Sequence, residues 1–153
     1  MIKLISTTII QRPIKQVFDF ISTAGNDVQW QYGAMASSQL TLNPIGLGTL
    51  FSSFNHFMGR RLQGKFEVTE YEPNKEYGFR SLSGPIQTQT LYNFESCQDG
   101  TRVDAILHVN QSGFFKLPDA FVTRFANNQL KENLTALKHF LEADQQFPSA
   151  VQS

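Results

Sequence analysis

The sequence predicts an α+β fold in which a curved antiparallel sheet of about seven strands wraps around one long C-terminal helix. Three observations carry this. Between residues 37 and 111 short apolar and polar alternations are punctuated by Gly, Pro, Asn and Asp, the pattern of strands joined by tight turns. From about Pro118 to Ala143 the period becomes helical and stays so. Only two short helical segments precede residue 113, both just after the first strand.

Taken in order, Leu4 to Ile10 is rich in β-branched residues and reads as strand one. Pro13 ends it and suits the first turn of a helix, in which Ile14, Val17, Phe18 and Ile21 share a face. After a break at Ser22 to Gly25, residues Asn26 to Trp30 form a second short helix. The strands that follow are Ser37 to Asn43, Thr49 to Phe57, Arg61 to Tyr71, Tyr77 to Leu82, Ile86 to Glu95 and Thr101 to Gln111. Glu72-Pro73-Asn74-Lys75 and Gln98-Asp99-Gly100 supply hairpin turns, and connections this short force antiparallel neighbours.

Parity within the strands separates an apolar face from a polar one. Leu62, Gly64, Phe66 and Val68 alternate with Gln63, Lys65, Glu67 and Thr69; Val103, Ala105, Leu107 and Val109 alternate with Arg102, Asp104, Ile106 and His108, where Ile106 breaks the polar file. Tyr77 and Phe79 oppose Gly78 and Arg80, and Tyr92 and Phe94 oppose Leu91 and Asn93. In strand three Leu50, Phe54 and His56 compete with Phe51, Asn55 and Phe57, and parity does not decide. Strand six is open too, since the opposite facing would turn Gln87, Gln89 and Asn93 inward. The last helix, ~39 Å long at the α-helical rise, carries an apolar stripe of Phe121, Phe125, Leu130, Leu134, Leu137 and Leu141. That stripe has one surface large enough to bury it, the apolar face of the sheet. Phe66, Phe79, Tyr92 and Phe94 then point toward Phe121 and Phe125, and these rings either line a space or fill it. One domain over residues 1–143 is expected, with a flexible tail over 144–153.

Composition narrows the function. Charged residues make up 17% of the 153 and the formal charge sums to zero, so no basic surface favours nucleic acid. No stretch approaches the roughly 18 apolar residues of a membrane span, and Met1 to Ile10 has no leader-like apolar run. The single Cys97 has no intramolecular partner, and a cytoplasmic location is the expectation. There are 14 Phe against one Trp, an excess of rings suited to packing a core or receiving an apolar ligand.

Chemistry-bearing groups are sparse. The three histidines, His56, His108 and His139, do not cluster with Cys or carboxylates at metal-ligand spacing, so neither a metal nor a cofactor is expected. No phosphate-cradling glycine loop or nucleophile triad is present. The best candidates for a base and an enolate-stabilising cation are His56 with Arg61 or Arg80.

The order of elements resembles the START and birch-pollen-allergen-like superfamily with its helix-grip fold, and within it the polyketide cyclase/dehydrase-like group. The resemblance rests on Ile9 with Pro13, Val17-Phe18 and Phe20-Ile21; on Asn26 with Trp30; on Gly48 leading into Phe51; and on Gly59-Arg60 followed by Glu67 to Pro73. It continues through Tyr92-Asn93-Phe94-Glu95 with Gly100-Thr101-Arg102-Val103, and ends at Leu134, Leu137 and Leu141-Glu142. It implies that Trp30 and Tyr32, with the loop from Gly113 to Leu117, lie near the mouth of a ligand space. Three functions stay open: binding or carriage of a lipid or polyketide-like metabolite, a cyclase/dehydratase-like reaction, and a protein-interaction role through Phe114-Phe115. The partner expected is an apolar small molecule, with a weak homodimer as a further option.

Overall fold

The computed structural model describes residues 2–23, 26, 34–40, 44–57, 60–83, 86–111 and 117–144, with side chains for all of these except 34–38, 55–57, 60–62, 86 and 144. Strand β1 (Ile2–Ile10) leads into helix α1 (Ile14–Ile21), and the sheet continues through β2 (Ala34–Gln39), β3 (Leu50–Phe57), β4 (Arg60–Glu72), β5 (Glu76–Ser81), β6 (Ile86–Cys97) and β7 (Gly100–Gln111). The chain then enters the long helix α2 (Asp119–Asp144). The second short helix expected at Asn26 to Trp30 falls outside the described residues apart from Asn26, as do residues 145–153 of the expected tail.

The sheet order is β1-β7-β6-β5-β4-β3-β2, antiparallel at every step. The meander from β2 to β7 follows from its turns. Asn74 takes the left-handed conformation (φ 64°) between β4 and β5, where the Lys75 N–H donates to the Glu72 carbonyl at 2.9 Å. Gly100 (φ 137°) opens β7 opposite Cys97. The non-local step is β1, which pairs from Ile2↔Val109 to Ile10↔Thr101 and places the first strand beside the last. The sheet curves around α2 in a helix-grip arrangement.

Helix α1 begins after Pro13, whose extended backbone and missing N–H suit a helix start. Its buried side chains, Val17, Phe18 and Ile21, join the core, where Phe18 packs against Tyr71 and Phe94. On α2 the buried stripe is Val122, Ala126, Leu130, Leu134, Leu137 and Leu141, a spacing of three or four residues that keeps one face toward the sheet.

The C-terminal end of α2 is fastened to the corner after β1. The Arg12 guanidinium donates to the carbonyls of Gln11 and Glu142. The Glu142 carboxylate accepts the Gln11 N–H at 2.9 Å and the Lys138 ammonium at 2.7 Å, while Lys138 also donates to the Ile9 carbonyl at 2.6 Å. From the opposite side the buried Thr101 hydroxyl donates to the Arg12 carbonyl at 2.8 Å. These bonds satisfy carbonyls at the helix end that have no intrahelical partner and place cations where the helix dipole favours them.

Candidate functional site

The site is built on the inner face of the sheet. Cross-strand rows can be followed directly from the register. One row runs Leu4, Leu107, Thr90, Phe79, Val68; the next toward the start of α2 runs from Ile2 and Val109 to Thr88, and from Ser81 to Phe66 and Phe51. In the other direction lie Ser6, Ala105, Tyr92, Tyr77 and Tyr71. Phe51 and Ser53 are buried, which settles the facing of β3, and the burial of Thr90, Tyr92 and Phe94 settles that of β6. Gln87 and Gln89 are accordingly exposed on the outside.

Burial is uneven over the inner face. Toward α1, Ile10, Val17, Phe18, Ile21, Thr101, Val103, Ala105, Leu137 and Leu141 are all sealed. Toward the start of α2, Phe51, Val109 and Val122 are buried as well, while the inward-facing Ile2, Phe66 and Leu107, and Phe125 of α2, are half-buried. Leu107 is the informative one. It sits on β7 between Leu4 of β1 and Thr90 of β6, so neither an edge nor the outer face accounts for its accessibility. At the same end Phe121 and Leu82 are exposed, at 56% and 45%.

Aromatic rings pave the wall on the β3–β5 side. Phe51 stacks on Phe66 (centroids 5.2 Å apart) and meets Phe79 edge-on (5.4 Å), and Phe79 also touches Phe66 at 5.9 Å. The series continues through Tyr77 and Tyr71 to Phe18, which meets Phe94 at 5.1 Å. These rings cover the β3–β6 side of the inner face, with Thr90 beside Phe79 and Leu107 beyond it on β7.

The other expected site residues are distributed as follows. Tyr92 and Phe94 are buried on the inner face, Phe79 is buried, Phe66 and Phe125 are half-buried, and Phe121 stands at the rim. Trp30 and Tyr32 lie outside the described residues. His56 and Arg61 are directly paired between β3 and β4, in the file alternate to Phe51 and Phe66; their side chains lie outside the described set. Arg80 is on the outer face, where its Nε and Nη2 donate to one oxygen of Glu67 at 3.1 and 2.8 Å. It borders a polar hollow of about 180 Å³ lined also by Ser81, Gln87, Thr88, Gln89, His108 and Asn110. The hollow forms because the β5–β6 pairing ends at Arg80↔Gln89, beyond which the Thr88 N–H turns to the Ser81 hydroxyl at 2.9 Å.

Among the described residues no three His, Cys, Asp or Glu converge as a metal site, and no helix is long and apolar enough to cross a membrane. Sequence reasoning overlooks Thr90, a hydroxyl on the inner face beside Leu107. The signal available was the parity shared with Tyr92 and Phe94.

No family model and no curated protein matches the chain. Solved structures do. A START superfamily protein from Mycobacterium smegmatis superposes with a TM-score of 0.80 at 14% identity, covering 92% of this chain and 97% of its own. A protein of Thermus thermophilus does so with a TM-score of 0.80 at 16% identity, covering 94% and 99%. The di-domain ARO/CYC BexL of the BE-7585A biosynthetic pathway matches with a TM-score of 0.74 at 14% identity, over 93% of this chain and 47% of that one. The fold is therefore the helix-grip fold that this chain shares with these solved structures.

Proposed function

We infer that this protein binds or carries an apolar small molecule, of the lipid or polyketide-like class, between the inner face of the sheet and α2. The observation that carries the reading is Leu107, an inward-facing side chain at an interior position of the sheet that keeps accessible surface while Leu4, Thr90, Ala105 and Val109 around it are buried. Phe66 of β4 shares that property, so the space is lined by carbon, with the Thr90 hydroxyl as a polar contact within it. Phe79, Tyr92 and Phe94 form its floor and Phe121 its rim; Trp30 and Tyr32, which the resemblance puts near the mouth, lie outside the described residues. Residues 1–143 act as one domain in this reading, with 144–153 as a tail.

The fold shared with a START superfamily protein and with an ARO/CYC protein is consistent with such a container and does not fix the ligand. Of the candidates for chemistry, Arg80 is on the outer face with Glu67, and the side chains of His56 and Arg61 lie outside the described residues. Binding is therefore the function best supported.

Native mass spectrometry of gently purified protein, followed by solvent extraction and mass analysis of the extract, tests the reading. A population heavier by one small molecule, released into organic solvent, is expected. A single ligand-free mass, together with no uptake of added fatty acid, overturns it.

A further inference from the structure

The outer face of the sheet carries an ordered pattern that ligand binding does not use. Following the register across β1, β7, β6 and β5, one outer row is Lys3, His108, Gln89, Arg80. The next is Ile5, Ile106, Leu91, Gly78, and the third is Thr7, Asp104, Asn93, Glu76. The middle row is apolar, with Ile5 57% exposed on the edge strand and Ile106 and Leu91 half-buried beside it. It is flanked by a row whose charges are basic on one side and a row whose charges are acidic on the other. An outward apolar band three strands wide is costly on a solvated sheet face and marks a contact surface.

We propose that this face is a self-association surface, occupied by a second copy of the chain. The argument is charge complementarity under two-fold symmetry. When two copies meet face to face about an axis lying along the Ile5–Ile106–Leu91 row, that row meets its own image. The first row of each copy then lies over the third row of the other. Arg80 faces the other copy's Glu76, His108 faces its Asp104, and Gln89 faces its Asn93. The same pairs recur on the far side of the axis. Lys3 meets Thr7 beside Asp104, which is hydrogen-bonded to Thr7 within each copy at 2.7 Å. Arg80 and Asp104 keep their own-chain partners, Glu67 and Arg102. The cross-copy charges therefore set register and orientation more than affinity.

Size bounds the strength. Four strands at ~4.8 Å spacing and a few residues at ~3.4 Å rise bury at most several hundred Å² per copy, the low end of specific interfaces. The convexity of this side of the sheet keeps the contact to that central band. The association is reversible and populated at high protein concentration. It does not depend on what the inner face binds.

Sedimentation velocity of the full chain over about 10 μM to 1 mM, at low and high salt, reads the association, with thermal unfolding of each variant as a folding control. The chain should shift toward dimer with concentration, and Ile5→Lys should remain monomeric while melting like the parent. Arg80→Glu alone and Glu76→Arg alone should each weaken association at least ~10-fold, because each places like charges opposite one another twice. Mixing those two variants should restore it, because every facing pair is then of opposite sign. A chain that stays monomeric throughout, an Ile5→Lys variant that associates as before, or a mixture no tighter than its components overturns the proposal.

Discussion

Phe18 of α1 stands edge-on to Phe94 of β6, with ring centroids 5.1 Å apart and planes inclined at 69°. Phe18 meets Tyr71 of β4 in the same way at 5.5 Å, so one ring from a two-turn helix ties together strands that are not neighbours in the sheet. An eight-residue helix has little stability of its own, and this packing is what holds it in place. Phe18→Ala should cost about 3–5 kcal/mol, the range for a buried Phe that leaves a cavity. Phe121→Ala, at the exposed rim, should change stability by less than about 0.5 kcal/mol. Urea unfolding followed by circular dichroism reads both.

Glu142 makes a pH-dependent contribution. Burial works to raise its pKa, but the hydrogen bonds from Lys138 and the Gln11 N–H, with the charges of Lys138 and Arg12, outweigh it and hold the carboxyl below its ordinary value of 4.5. Because the folded value lies below the unfolded one, the contribution is complete above the unfolded range and is lost as pH falls through the folded value. Glu142→Gln should destabilise the protein by about 0.5–1 kcal/mol at pH 7. The difference from the parent should close as pH falls through the lowered folded-state value. A difference unchanged by acid would show that the carboxylate charge is not what fastens α2.

Gly100 allows a close approach between the β6–β7 turn and the corner after β1. A Cβ there would lie 2.2 Å from the Ile10 carbonyl oxygen and 2.9 Å from the Arg12 nitrogen, at a φ of +137° that side chains rarely adopt. Gly100→Ala should cost at least about 2 kcal/mol. Gly46→Ala, where a Cβ meets nothing within 4 Å, should be neutral or stabilise by up to about 1 kcal/mol. Thermal melts of the two variants side by side provide the comparison.

The order of strands and helices is legible in the sequence because each element announces itself locally: a proline at the start of α1, hairpin turn residues at Asn74 and Gly100, and a change of period after Gln111. Facing is less legible wherever both parities are apolar. On β3 the choice falls to Phe51 because Phe51 is in register with Phe66, a pairing 15 residues apart that no local pattern encodes. On β6 the inner file begins with Thr88 and Thr90, polar residues that hide the alternation until Tyr92. On α2 the residues Phe121 and Val122 head two adjacent stripes of similar spacing, and the sheet takes the smaller side chain. Ile106 is the reverse case. Its break in the polar file of β7 is visible in sequence, but its meaning needs Ile5 and Leu91 beside it.

The most direct test of the central claim fills the space at Leu107. Titration of the parent with the apolar fluorophore 1-anilinonaphthalene-8-sulfonate should show saturable binding of one probe per chain. Leu107→Trp should fold, melt within a few degrees of the parent, and lose at least ~10-fold in probe affinity, as expected when a ring takes the volume a ligand would occupy. A parent that takes up no probe, or a folded Leu107→Trp variant that binds it as well as the parent, would contradict the account.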